Sequence, residues 1–188
     1  MGDPERKSAR TPDATDAELI ARWQRGDQRA AASLVERHAQ PLARFAASLG
    51  ERDGVDELVQ DTFVRAFQSI ETFRADSSLR TWLFTICKRL VLDRKRSERR
   101  RKDVVELDDG HAVLGYDALD GLVAEETAKR VQDAVARLTP MQREVFTLRV
   151  TEGLPYSEIA TLVESTEGAC RVHYHNAVKI IKEYLSDD

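Results

Sequence analysis

Apolar residues recur along most of this chain at three- and four-residue steps, with no sustained alternation of the kind a half-buried strand requires. That period predicts helices throughout. The first opens at Thr15, whose spacing to Glu18 fits a capping box, carries Leu19, Ile20 and Trp23, and ends near Arg25-Gly26. A second, from about Asp27 to Leu49, places Ala31, Leu34, Val35, His38, Leu42, Phe45 and Leu49 inward, with Pro41 as the expected bend. After a turn at Gly50 to Gly54, a third buries Val55, Leu58, Val59, Thr62, Phe63, Ala66, Phe67 and Ile70. A fourth follows a polar loop in which Ser77 or Ser78 can cap, and its inner face is Leu79, Trp82, Leu83, Ile86 and Leu90. On this spacing Trp82 is expected in the core rather than at a strand-separating surface.

The period breaks from Asp103 to Glu126, where Gly110, Gly115 and Gly121 interrupt it, and resumes from Thr127 to Leu185. One helix there carries Val131, Val135 and Leu138. Thr139-Pro140-Met141-Gln142 then supplies an N-cap, a proline at the first helical position and a capping-box Gln. The next helix holds Val145, Phe146 and Leu148 and stops at Glu152-Gly153. Ser157 is expected to cap a short helix with Ile159, Ala160 and Leu162. A turn at Val163 to Ser165 leads to Thr166, which can cap a last helix through Ala169, Cys170, Val172, Tyr174, Ala177, Val178, Ile181 and Leu185. Two helices on a tight turn, with one in front, make a helix-turn-helix. The fold class is therefore all-α, with two small helical domains, 15–102 and 127–188, joined by an acidic linker, 103–126, and preceded by a polar tail, 1–14, that has no apolar period.

Charge changes the picture by its distribution. The net charge is −4 and the sequence pI about 5.7, whereas most domains that hold duplex DNA unaided are basic. Yet past Cys87 the fourth helix has nine Lys and Arg against Asp93 and Glu98, a density that repels itself unless a polyanion relieves it. The linker has eight acids and no Lys or Arg. The outer face of the third helix, Asp56, Glu57, Gln60, Asp61, Val64, Arg65 and Gln68, is acidic and partly apolar, and suits a basic partner helix. The pattern implies local grip on DNA and an acidic surface for a different partner. In the linker, a soluble spacer and a mimic of nucleic acid filling a basic channel remain equal readings.

Cys87 and Cys170 are too few and too distant for a disulfide framework, and no apolar run approaches membrane-spanning length, so a cytoplasmic protein with no membrane contact is expected. Cys170, His173 and His175 are all potential ligands, but offsets of three and five residues on one helix do not converge, so no metal and no cofactor is expected. Glu57 and Asp61 form an i, i+4 acidic pair without a phosphate loop or an orienting base, which argues against catalysis. A dimeric helix-turn-helix repressor leaves the first unit, its acidic face and the linker unexplained.

Three motifs in order carry a resemblance. Asp56 to Phe67 (DELVQDTFVRAF), Phe73 to Phe84 (FRADSSLRTWLF) and Leu138 to Ala160 (LTPMQREVFTLRVTEGLPYSEIA) resemble regions 2.2, 2.3 with 2.4, and the start of region 4 of the extracytoplasmic-function, or group 4, sigma factors of the sigma-70 family. The resemblance implies a non-enzymatic RNA polymerase sigma factor that directs the core enzyme to promoters and assists opening of the minus-10 element. It implies that Asp56, Glu57, Gln60, Asp61 and Val64 face the β′ clamp helices, that the β flap is also contacted, and that an anti-sigma factor is a partner. It implies that Phe73, Arg74, Asp76, Ser77, Ser78, Lys88, Arg89, Arg94, Lys95 and Arg96 serve minus-10 DNA, and that Arg149, Thr166, Arg171, His173 and Asn176 serve minus-35 DNA. This chain departs from the family pattern at Arg89, where many relatives have Asn, and at Glu164, Ser165, His173 and Asn176, where Gly, a hydrophobic residue, and Lys or Arg are common. The less basic recognition helix implies low affinity for free duplex. No extra domain for self-inhibition is expected, so restraint is assigned to a separate inhibitor.

Overall fold

The computed structural model describes residues 14–51, 53–102 and 122–186. Eight α-helices and no strand occur among them: α1 Asp16–Gln24, α2 Gln28–Ser48, α3 Val55–Ser69, α4 Leu79–Lys102, α5 Leu122–Ala136, α6 Pro140–Phe146, α7 Tyr156–Leu162 and α8 Glu167–Ser186. A 3₁₀ turn, Ile70–Thr72, follows α3 and a π-helical turn, Thr147–Thr151, follows α6. The expected tail lies outside the described residues apart from Ala14, as does the expected linker up to Gly121. Residues 122–126, expected in the linker, instead begin α5. Beyond Gly121 the chain has no Gly or Pro before Pro140 and is rich in Ala and Glu, so helix propensity prevails over the acid that suggested a spacer.

The chain divides by packing between His38 and Ala39 into two compact units. In the first, Thr15 caps α1 in the expected capping box with Glu18. Asp16 accepts from Arg37 at 2.6 Å and lies 3.0 Å from His38 Nε2. These contacts hold its carboxyl below the usual range, the His38 bond contributing most. Ala30, Leu34 and His38 are buried on α2, one position off the expected Ala31 at the start of the helix.

In the second unit α3 lies along α4. Leu58, Val59, Thr62, Phe63 and Ala66 form the buried stripe of α3. The buried face of α4 is wider than its period indicated: Phe84, Cys87 and Val91 join Leu79, Leu83 and Leu90. Phe84 is fully buried and stacks on Phe45 of α2, with ring centroids 4.6 Å apart. Trp82, expected in the core, is only half-buried, and its ring lies 5.3 Å from that of Phe73 in the preceding loop. Phe84 takes the interior place because α4 is covered on more than one side, so a single-face reading of its period ranks the wrong aromatic.

The remainder packs α5, α6 and α7 around α8. Ala134, Val135, Leu138, Ala177 and Ile181 form one buried cluster, with Ala47 of α2 against it. Thr139 caps α6 in the expected box with Gln142. Arg143 reaches back to the carbonyls of Val135 and Ala136 at the end of α5 and of Leu138 in the turn beyond it, adding donors where helical ones run out. Ser157 does not cap α7: the helix begins at Tyr156 after Pro155, whose ring can enter a first turn but has no capping oxygen. Thr166 does cap α8, accepting from the Ala169 N–H at 3.2 Å. Between these helices Glu164 has φ +53°, the left-handed backbone that Gly adopts without cost.

Candidate nucleic-acid interface

The acidic face expected on α3 exists as a surface. Asp56, Glu57, Gln60, Asp61, Val64, Arg65 and Gln68 are all exposed, and Val64 leaves 53 % of its area to solvent. An apolar side chain with Asp61 one turn before it, on a face that also carries Asp56 and Glu57, presents both adhesion and charge to a basic helix. Asp61 is not independent of the basic segment: its carboxylate lies 3.5 Å from Arg94.

The loop before α4 presents Arg74 and Asp76 to solvent, with Phe73 and Ser77 partly buried. Ala75 between them has φ +57°. A non-glycine residue held in that region is backbone strain of the sort that shapes binding loops. Ser78 caps α4, its hydroxyl accepting from the Thr81 N–H at 3.2 Å. The half-exposed Phe73 and Trp82 rings beside this loop form an aromatic surface on which a base can stack.

The bases of α4 divide by environment. Arg89 and Arg96 are exposed, the Arg96 side chain at 72 % with Asp93 as a 3.4 Å partner. Arg99 and Arg100 are exposed. Lys88, Arg94 and Lys95 have internal partners instead. Arg94 donates to the Gly54 carbonyl and approaches Asp61, and Lys95 donates to the Leu49 carbonyl. Lys88 donates to Glu144 at 2.7 Å and to the Leu162 carbonyl at 2.9 Å. Burial raises the Glu144 carboxyl above its usual value, with Lys88 acting in the opposite direction. Cys87 beneath this segment is buried and its thiol is pushed up to about 12, chiefly by burial, so it is unreactive at neutral pH.

In the helix-turn-helix, Arg149 and Arg171 converge on Tyr156: their guanidinium carbons lie 5.0 Å and 4.7 Å from its ring centroid. Arg149 also donates to the Leu154 carbonyl, and Arg171 pairs with Glu167 at 3.0 Å. Asn176 is exposed and His173 half-buried on α8. Tyr156 was invisible to periodicity because α7 is too short to display a polar face; only its place after a proline at a helix start marked it. Among the described residues no group of three or more His, Cys, Asp or Glu could hold a metal ion, and no helix is long and apolar enough to cross a membrane.

Sequence reasoning also missed three acids that the tertiary structure brings to α4 and α2. Glu144 meets Lys88. The side chain of Glu152 is fully buried with its carboxylate 2.9 Å from Arg44 Nε and 3.9 Å from Arg80. Glu158 accepts from Ser78 at 3.0 Å and from Thr81.

A helical layer with an exposed acidic face and a basic helix, followed by a helix-turn-helix, has the make-up of a DNA-reading adaptor. Comparison with known proteins narrows it. Residues 34–101 match the family model for Sigma-70 region 2, and residues 128–181 that for Sigma-70, region 4. Over 187 residues the chain is 31 % identical to the ECF RNA polymerase sigma factor BldN of Streptomyces coelicolor, covering 97 % of this chain and 70 % of that protein. It is 28 % identical to the ECF RNA polymerase sigma-E factor of Haemophilus influenzae, covering 91 % of this chain and 95 % of that one. The solved structure of the sigma factor RpoE in complex with the anti-sigma factor NepR from Bartonella quintana is 25 % identical, with a TM-score of 0.65 over 83 % of this chain and 96 % of that chain. The chain belongs to the extracytoplasmic-function sigma factors of the sigma-70 family.

Proposed function

We propose that this chain is the promoter-specificity subunit of RNA polymerase, directing the core enzyme to its promoters and assisting opening of the minus-10 element. The observation that carries this is the matched pair of sigma regions in order, one with an exposed acidic α3 and a basic α4, the other ending in a helix-turn-helix. The covalent chemistry belongs to the polymerase; this chain supplies binding and sequence reading in the cytoplasm.

Asp56, Glu57, Gln60, Asp61 and Val64 dock on the β′ clamp helices, and the second half reaches the β flap. Phe73, Arg74, Asp76, Ser77 and Ser78 take the minus-10 strand, with Arg89 and Arg96 on its phosphates; Lys88, Arg94 and Lys95 join them once their internal partners give way. Arg149, Thr166, Arg171, His173 and Asn176 serve the minus-35 duplex, with α8 in the major groove. The less basic recognition helix leaves affinity for free duplex low. An anti-sigma factor fits the same surfaces, a reading supported by the NepR complex of the similar Bartonella protein.

Reconstitution with core polymerase tests the reading. The expected result is a stable complex that starts RNA at discrete genomic sites in runoff transcription, and the chain alone on DNA starts none. A chain that neither joins the polymerase nor redirects it is not a sigma factor.

A further inference from the structure

Ser78 and Lys88, assigned here to minus-10 DNA, already have occupants. Glu158 takes the hydroxyls of Ser78 and Thr81, and Glu144 takes the ammonium of Lys88. Beside them Glu152, fully buried, sits between Arg44 and Arg80, and Arg80 also donates to the Glu152 carbonyl at 3.3 Å. Three carboxylates from α6, the turn after it and α7 thus engage the start and middle of α4 and the neighbouring α2. A carboxylate offers these donors what a phosphate oxygen offers them: a planar or compact anion that accepts charge-assisted bonds.

We propose that Glu144, Glu152 and Glu158 are an internal anionic latch, holding the helix-turn-helix half against the minus-10 face in competition with promoter DNA. This inference rests on the sigma reading for the identity of the competing strand. It reassigns restraint, which the sequence left to a separate inhibitor, partly to the chain itself.

The latch is built to open. Apart from Ala47 against the cluster of α5 and α8, the contacts named across this seam are polar, and a cavity of about 340 Å³ runs beside them, lined by Ser48, Leu92, Lys88, Lys95, Arg143 and Glu144. A seam held by ion pairs has little net stability, because removing each charge from water offsets most of its attraction. Burial keeping the Glu144 carboxyl above its usual value is a sign of that cost. A strand that brings phosphates to Lys88 and Ser78 re-pairs those donors, while the released carboxylates regain water.

The test places spin labels on the exposed Gln68→Cys and Lys182→Cys of the full chain; Cys87 and Cys170 are buried and stay unlabelled. The labelled chain is expected to show one narrow distance. Glu144→Lys, which sets two ammonium groups against each other, is expected to lengthen and broaden it. Adding Lys88→Glu, which exchanges the signs of the pair, is expected to restore the narrow distance while weakening binding to labelled oligo-dT. Glu158→Gln leaves the Ser78 cap of α4 in place and removes only the charge that Ser78 and Thr81 meet; it is expected to broaden the distance without touching Glu144, which keeps the test intact if Glu144→Lys unfolds. Glu144→Lys is expected to bind oligo-dT about tenfold more tightly than Glu183→Lys, which has the same charge change on an exposed site; that ratio corresponds to 1.4 kcal/mol released from the closed form.

A broad distance in the unmodified chain, single reversals that leave it narrow, or a sign exchange that fails to restore it each overturns the latch. Core-polymerase binding is measured on the unlabelled chain and its variants without the label cysteines, because Gln68 lies on the exposed face of α3. Its absence together with a normal closed-to-open change sinks the sigma reading and leaves the latch standing; its presence without that change does the reverse.

Discussion

Single side chains divide into those whose role is packing and those whose role is charge, and burial separates them. Phe84 is fully buried and stacked on Phe45, so Phe84→Ala removes a ring from both α4 and its contact with α2. The expected loss is about 3–5 kcal/mol, read as a fall in the urea midpoint, whereas Trp82→Ala at its half-exposed site is expected to cost less. Glu164 holds φ +53° between the two helices of the DNA-reading motif. Glu164→Gly exchanges left-handed strain for the chain entropy of glycine, with an expected net gain of about 0.5–1 kcal/mol, seen as a higher thermal midpoint. The tetrapeptide Thr139 to Gln142 shows what a single sequence can specify: its cap, proline and reciprocal Gln bond are all present because every partner lies within one turn. Glu144 shows the opposite. Nothing adjacent to it in sequence signals that its carboxylate will meet Lys88.

At the scale of elements, α3 and α4 present faces whose chemistry was legible from period and charge, yet α4 was only half understood. The outer residues of α3 are exposed as expected, and Val64→Glu is expected to leave thermal stability unchanged while weakening retention of core polymerase at least about tenfold, because a buried interfacial carboxylate lacking a partner is costly. The basic run of α4 reads as uniform in sequence but is not so in space. Arg89, Arg96, Arg99 and Arg100 face solvent, while Arg94 and Lys95 bond to α3 and to the carbonyls of Gly54 and Leu49. Replacing Arg96, Arg99 and Arg100 with Gln is expected to flatten the salt dependence of promoter binding by up to roughly 0.9 in slope for each lost duplex contact. Replacing Arg94 and Lys95 is expected instead to lower stability, measured by denaturation, because each leaves a helix-end carbonyl or an acid without its donor.

For the whole molecule, the buried Glu144 predicts a pH signature. Burial raises its carboxyl above the ordinary 4.5, so just above that pH the folded state keeps a proton that the unfolded chain has already released. That contribution is fully present below about 4.5 and is lost as pH rises through the folded value. Carboxyls held low, such as Asp16, act with the opposite sign at lower pH, so the difference between the protein and its Glu144→Gln variant is the clean readout: it should change between about pH 4.5 and neutrality and be flat if Glu144 is solvated. The sequence by itself determined the helices, the caps at Thr15, Ser78, Thr139 and Thr166 though not the one expected at Ser157, the acidic face of α3, the basic α4 and the helix-turn-helix, because each depends on neighbours within a turn or two of chain and on a period the chain repeats. It could not rank Phe84 over Trp82, begin α5 at Leu122, separate Arg94 and Lys95 from Arg96, or find Glu144, Glu152 and Glu158. The start of α5 turned on helix propensity outweighing charge; the other outcomes depend on groups that meet across more than thirty positions of chain, and for the three Glu more than fifty, where burial and pairing are decided by packing in three dimensions and local spacing carries no trace of them.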